Sequence, residues 1–291
     1  MGALKLALPH TRQRIGELVG RDNITLSPLS GGCVGQVLLV EWKGSPQLVA
    51  KIDDSQFAQL DVEAFMLRYL REHTDLPVPS IIYADQGLLL LEYLPGENRF
   101  SAEAEQHAAE LMVHLHAIGA DFYGFQRDTL IGGLTQPNDW AESWLEFFAE
   151  RRLRYMARLT HDTDLLPISL LSRVDRLCDH LDDWLDEPQG PALIHGDAWA
   201  GNVLATDTKI VGFLDPAIYF ADPEIELAFM SLFDSFGESF FRRYRELRPI
   251  APGFMSERRH LYNLYPLLVH VRLFGGGYVN AVDRTLTRFG Y

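Results

Sequence analysis

Residues 1–93 alternate between short apolar runs and small-residue turns, the period-two signature of strands. Asn23 to Leu26 predicts one short strand and Gln36 to Trp42 a second. Gln47 to Ile52 predicts a third, returning across the turn Lys43-Gly44-Ser45-Pro46. From Gln56 to Glu72 the period lengthens. Phe57, Leu60, Ala64, Leu67 and Leu70 fall three or four apart and predict one apolar helical stripe, ended by Pro77 and Pro79. Ile81 to Ala84 and Leu88 to Tyr93 then read as a hairpin across Asp85-Gln86-Gly87.

Leu94-Pro95-Gly96 punctuates the chain and marks the expected boundary between a lobe over 1–93 and a lobe over 94–291. Ser101 is placed to cap a long helix running to Ile118, with Ala109, Leu111, Met112 and Leu115 on its apolar face. Further helices are expected over Trp140 to Leu159 and Leu170 to Leu185. Short strands and tight loops follow between Pro191 and Pro216, and helices resume from Glu224. The pattern predicts an α+β chain of two lobes: a small antiparallel β-sheet with one helix, then a larger, mostly helical lobe.

Length and composition permit this and narrow the partners. The 291 residues, 47% hydrophobic and 23% charged, can bury a sizeable core without disulfides or a structural metal. With 26 basic against 40 acidic residues the net charge is −14, which disfavours nucleic acid and anionic membranes and tolerates cationic substrates. No apolar run is long enough to span a bilayer, Met1 to His10 lacks the order of a signal peptide, and two cysteines make no disulfide framework. The expected compartment is cytoplasmic.

The residues that could carry chemistry fall into an order. In the first lobe, Lys51 interrupts the apolar run Leu48-Val49-Ala50-Lys51-Ile52, and Glu63 lies on the helix that follows. A strand Lys paired with a helix Glu is the device that holds the α- and β-phosphates of a bound nucleotide. The stretch Ser30-Gly31-Gly32-Cys33-Val34-Gly35 stands between two strands, where glycines would let backbone N–H groups approach those phosphates. In the second lobe, two apolar runs frame a polar loop with Asp197 and, five positions on, Asn202. Phosphoryl transfer needs a carboxylate for the proton of the attacking hydroxyl and an oxygen ligand for a metal. Asp215, at the end of the strand after that loop, fits the second metal ligand, and Mg²⁺ prefers such oxygens. Taken singly, each feature also reads as a capping turn or a solvent-facing side chain. Together and in this order they predict an ATP- and Mg²⁺-dependent kinase.

His195-Gly196-Asp197-Ala198-Trp199-Ala200-Gly201-Asn202 resembles the H-G-D-L-W-S-G-N signature of the fructosamine kinase family, within the protein-kinase-like and aminoglycoside phosphotransferase superfamily. Asn138-Asp139-Trp140 with Phe147 to Leu153, Asp215 to Phe220, Glu224 to Phe236 and Tyr262 to Tyr278 resemble further segments of that family. The resemblance implies a bilobal protein-kinase-like fold and phosphorylation of a sugar hydroxyl on ketosamines, free or on protein lysines. The product decomposes, so the activity amounts to deglycation. It also implies Asp197 as catalytic base, and Asn202 and Asp215 as metal ligands. Lys51 and Glu63 would hold phosphates, Glu92, Tyr93 and Leu94 would lie near adenine, and Trp199 would face the sugar. Asp222-Pro223 and Glu226 depart from the family pattern just beyond Asp215, which puts substrate orientation in question.

Two readings compete: an aminoglycoside or choline-like phosphotransferase on the same fold, and a nucleotide-binding pseudokinase. Trp199 and the C-terminal segment oppose the first, and Lys51, Asp197, Asn202 and Asp215 oppose the second. His107, His114 and His116 read as structural, and His195 as a support for the loop backbone. Cys178 reads as a filler on an amphipathic helix. Cys33 reads by default as ordinary packing in a monomer; the alternative expectation is a redox-sensitive phosphate loop that pairs with Cys33 of a second subunit to give a linked dimer.

Overall fold

The computed structural model describes residues 2–29, 35–42 and 47–291, with side chains from His10 onward. The chain opens with helix α1 (Gly2–Val19). Next come strands β1 (Thr25–Pro28), β2 (Gln36–Glu41) and β3 (Leu48–Ile52), then helix α2 (Leu60–His73) and strands β4 (Ile81–Ala84) and β5 (Leu88–Glu92). The five strands pair antiparallel in the order β1-β2-β3-β5-β4.

Alternation decides what each face of this sheet holds. Leu48, Ala50 and Ile52 of β3 join Leu88 and Leu90 of β5 in a core with Ile15 of α1. Leu89 and Leu91 turn the other way, onto Leu60, Ala64, Leu67 and Leu70 of α2. Lys51 lies between Ala50 and Ile52 and therefore also faces α2. One expectation is corrected here: the first lobe has two helices, because α1 covers the face that α2 leaves bare. Pro9 lies within α1, and an internal proline argues against a helix when the sequence is read locally. Phe57 is corrected too. The helix begins at Leu60, and Phe57 is 77% exposed in the loop before it.

The larger lobe is helical. Ser101 caps helix α3 (Ala102–His116) by accepting from the Ala104 N–H at 3.1 Å. A hairpin of β6 (Thr129–Ile131) and β7 (Leu134–Gln136), which periodicity does not show, precedes the next helix. That helix begins later than expected. Ser143 caps it, and it runs as α4 (Trp144–Phe147), a π-helical segment (Phe148–Arg154) and α5 (Tyr155–His161). The π-segment coincides with fully buried Arg152. Its guanidinium lies 3.8 Å from the Tyr219 ring centre and donates to Pro137 O at 2.8 Å and to Asn138 Oδ1 at 2.6 Å.

Helix α6 (Ile168–Cys178) ends at Cys178, which is buried as a filler, with burial pushing its thiol up to about 12. Strands β8 (Ala192–Ile194), β9 (Val203–Ala205), β10 (Ile210–Phe213) and β11 (Tyr219–Ala221) form two pairs, β8 with β11 and β9 with β10. Helices α7 (Pro223–Met230), α8 (Glu238–Leu247), α9 (Arg259–Tyr262), α10 (Leu264–Phe274) and α11 (Val279–Arg288) complete the chain. Among the described residues no helix is long and apolar enough to cross a membrane.

Candidate active site

The loop from β8 to β9 carries Asp197, Trp199 and Asn202, and the turn after β10 carries Asp215. Two glycines of this loop are dictated by contact. Gly196 has φ +83°, and a Cβ there would lie 2.1 Å from Ala217 O. A Cβ on Gly201 would lie 2.3 Å from the Trp199 ring, so the indole packs against backbone that only glycine leaves bare.

Lys51 Nζ lies 2.6 Å from Glu63 Oε1 and also contacts Asp215 Oδ1, so one cation joins the strand, the helix and the distant β10 turn. Burial alone would lower the Lys51 pKa. The Asp215 and Glu63 carboxylates outweigh it and raise the pKa, so Lys51 stays charged. Asn202 Nδ2 donates to Asp197 Oδ2 at 2.8 Å and to Asp197 O at 3.0 Å. With its nitrogen so committed, Asn202 has its amide oxygen left as a ligand atom. Asn202 and Asp215 thus supply two hard oxygens, a set that fits Mg²⁺ shared with phosphates and water. Burial pushes the Asp197 carboxyl well above the usual range, and Asp215 adds to it, which suits a group that must accept a proton.

These residues sit where two cavities meet. One, of about 250 Å³, is lined by Val49, Lys51, Leu91 and the segment Glu92, Tyr93 and Leu94. The other, of about 450 Å³, holds Lys51, Glu63, Asp197, Trp199, Asn202 and Asp215. The Glu92 side chain turns aside to accept from Ser80 Oγ at 2.6 Å and its N–H donates to Ser80 O at 2.9 Å, so of that residue the backbone carbonyl is left to serve the first cavity. Gly31, Gly32, Cys33 and Val34 lie outside the described residues, and so does every expectation placed on Cys33. Gly35 is described, at φ +71° beside the Ile52 carbonyl.

Three supports were not legible in the sequence. Asn98 Nδ2 donates to the carbonyls of Ala200, Gly201 and Val203 at 3.0, 3.2 and 2.9 Å, tying the loop to the interlobe segment. Glu226, 1% exposed, accepts the backbone N–H groups of His195 and Gly196 at 2.7 and 2.8 Å. Burial works against its charge, but these donors and His116 outweigh it and hold its pKa low. His116 Nε2 is 3.4 Å from Glu226, and its Nδ1 takes the Tyr244 hydroxyl at 2.7 Å. Asp222 caps α7 through the Glu224 N–H and accepts from the Tyr262 hydroxyl. The departures at Asp222 and Glu226 therefore act on the loop and the helix start, not on a substrate-facing wall. The expectations for His107, His116 and His195 agree with the contacts: His107 Nδ1 accepts from the Ile210 N–H at 3.1 Å, and His195 Nδ1 from Asp197 N–H at 3.3 Å, whereas His114 is exposed. No cluster of three or more His, Cys, Asp or Glu suited to a metal occurs among the described residues.

The fructosamine kinase family model matches residues 9–289. A Synechocystis sp. chain assigned as a ketoamine kinase is 34% identical over 270 residues, covering 89% of this chain and 88% of that one. The chloroplastic protein-ribulosamine 3-kinase of Arabidopsis thaliana is 28% identical over 261 residues, 87% of this chain and 78% of that one. The crystal structure of a Thermobifida fusca chain assigned as a fructosamine-3-kinase aligns at TM-score 0.82 and 31% identity, over 95% of this chain and 98% of the other. A thermostable mutant of aminoglycoside phosphotransferase APH(4)-Ia, at 18% identity and TM-score 0.67, shares the protein-kinase-like fold alone. By family model, sequence and structure together, this chain belongs to the fructosamine kinase family.

Proposed function

We propose that the protein transfers the γ-phosphoryl group of ATP to a sugar hydroxyl of a ketosamine, an adduct of a sugar with an amine. The observation that carries this reading is the meeting of Lys51, Glu63 and Asp215 with the Asp197–Asn202 pair at the junction of the two cavities. The smaller cavity takes the adenine against the backbone of Glu92, Tyr93 and Leu94, and Lys51, held by Glu63, takes the α- and β-phosphates. In this reading 1–93 is the nucleotide-binding lobe, with Gly35 closing its phosphate loop, and 94–291 binds the acceptor.

The acceptor sugar lies in the larger cavity against Trp199, its hydroxyl directed at Asp197. As the hydroxyl oxygen bonds to phosphorus and the bond to ADP breaks, Asp197 takes the hydroxyl proton, its carboxylate oriented by Asn202. Asn202 and Asp215 would hold Mg²⁺, which neutralises charge on the phosphates when bound. Loss of the labile phosphorylated sugar would free the amine, making the net activity deglycation in the cytoplasm.

ATP consumption measured across fructosamines, ribulosamines, aminoglycosides and choline tests this, with Asp197→Ala as control. Turnover of a ketosamine that disappears in Asp197→Ala is the expected result. No turnover of any ketosamine would remove the substrate assignment, and full activity in the variant would remove the mechanism.

A further inference from the structure

A third cavity, of about 260 Å³, opens from Asp197 and Trp199 away from the nucleotide side, between the α7–α8 connection and the end of α10. Its walls are aromatic. The Phe233 ring centre lies 6.5 Å from Trp199, 5.0 Å from His270 and 6.2 Å from Tyr278. His270 is in turn 5.0 Å from Tyr278 and 5.4 Å from Phe274. Phe233 and Phe274 remain 45% and 52% exposed, apolar surface left open toward a cavity where a packed core would have covered it. Phe233 and Asp234 hold φ of 57° and 53°, a left-handed backbone that a bulky residue rarely adopts and that turns the Phe233 ring into the wall.

The charge of this chamber is as particular as its shape. Among its lining residues there is no Lys or Arg. His270 Nδ1 is 2.7 Å from the Pro266 carbonyl and must donate to it, and burial holds the ring neutral. Asp197 is the one carboxylate in the lining. Aromatic faces beside a carboxylate favour a cation, and a ligand carboxylate would find no partner there. A volume below the roughly 300–1,000 Å³ of a drug-sized pocket suits a substituent, not a peptide segment.

Building on the proposed ketosamine reading, we propose that this chamber receives the amine half of the substrate. It selects a protonated secondary amine bearing an aromatic or bulky apolar group and rejects one bearing a carboxylate. Phe233 and Tyr278 are its specificity-determining residues. The placement follows from connectivity: with the acceptor hydroxyl at Asp197, the amine a few bonds away falls into the cavity that shares Asp197 and Trp199 with the acceptor site but lacks Lys51.

The test compares kcat/KM for N-benzyl, N-methyl and N-carboxymethyl adducts of fructose and of ribulose. The wild type is expected to favour benzyl over methyl by about tenfold or more, about 1.4 kcal/mol, and over carboxymethyl by about a hundredfold. Phe233→Ala and, separately, Tyr278→Leu should narrow the benzyl-to-methyl ratio to within about threefold, mainly through KM, and Phe233→Tyr should preserve it. If Phe233→Ala does not fold, Tyr278→Leu and the wild-type ranking carry the test. Equal kcat/KM for all three adducts, or an unchanged ratio in the folded variants, would overturn the chamber assignment while leaving the ketosamine reading intact. Absence of turnover with every adduct would overturn both.

Discussion

Replacing Glu226 by Gln keeps the shape of a buried side chain and removes its charge. Its two oxygens accept from the His195 and Gly196 N–H groups, and His116 approaches the same carboxylate at 3.4 Å. An amide has one acceptor oxygen, so in either orientation its NH₂ meets a backbone N–H head-on. One charge-assisted bond is lost and one buried N–H is left without a partner, about 2–4 kcal/mol in all. At about 2 °C per kcal/mol for a chain of this size, the midpoint of thermal unfolding should fall by about 4–8 °C. Part of that strain acts on the loop holding Asp197, and a displacement near 1 Å at a reacting group costs about a hundredfold. The expected kinetic signature is a kcat 10- to 100-fold lower, with KM for ATP nearly unchanged because Lys51 and the 92–94 backbone are untouched. Glu226→Asp, which keeps the charge, should recover more of kcat than Gln does. A Glu226→Gln enzyme with wild-type kcat and melting within about 2 °C of wild type would refute the clamp.

Gly201→Ala should force the Trp199 indole off the loop, since the added methyl would lie 2.3 Å from the ring. KM for the acceptor should rise about tenfold or more with nucleotide affinity nearly unchanged, read by steady-state kinetics and ADP titration. Arg152→Ala removes a fully buried guanidinium and its bonds to Pro137 and Asn138, and should cost about 3–5 kcal/mol in denaturant unfolding. Asp222 has its carboxyl pushed up to about 6 by burial, with Glu224 adding to it. The folded state therefore favours the protonated form, and stability from this group is present at pH 4 and lost as pH rises through 6. Asp222→Asn should remove that dependence, gaining up to about 3 kcal/mol relative to wild type between pH 4 and pH 7, measured by denaturant unfolding at each pH.

What the sequence alone determined is local. The alternation in β3 puts Lys51 on the face opposite Ala50 and Ile52, and the helical stripe read from Phe57 to Leu70 sets Glu63 on the element that covers that face. The Ser101 cap and the loop from His195 to Asn202 are likewise set by neighbours a few residues apart, so spacing exposes them. Where local signals conflict with packing, reading fails. Pro9 disguised α1, whose helix exists because one face of the sheet needs cover, and Phe57 kept the stripe's spacing while lying outside the helix. The remaining features are products of the tertiary structure. Asn98 meets carbonyls about a hundred residues on, Glu226 reaches back 31 residues to the loop it holds, and Phe233 joins His270 and Tyr278 only because the turn after α7 comes against α10 and the segment that follows it. A buried carboxylate or an aromatic wall carries no periodicity of its own. Its role is settled by which groups the fold leaves without a partner, and that is decided only when distant segments are brought into contact.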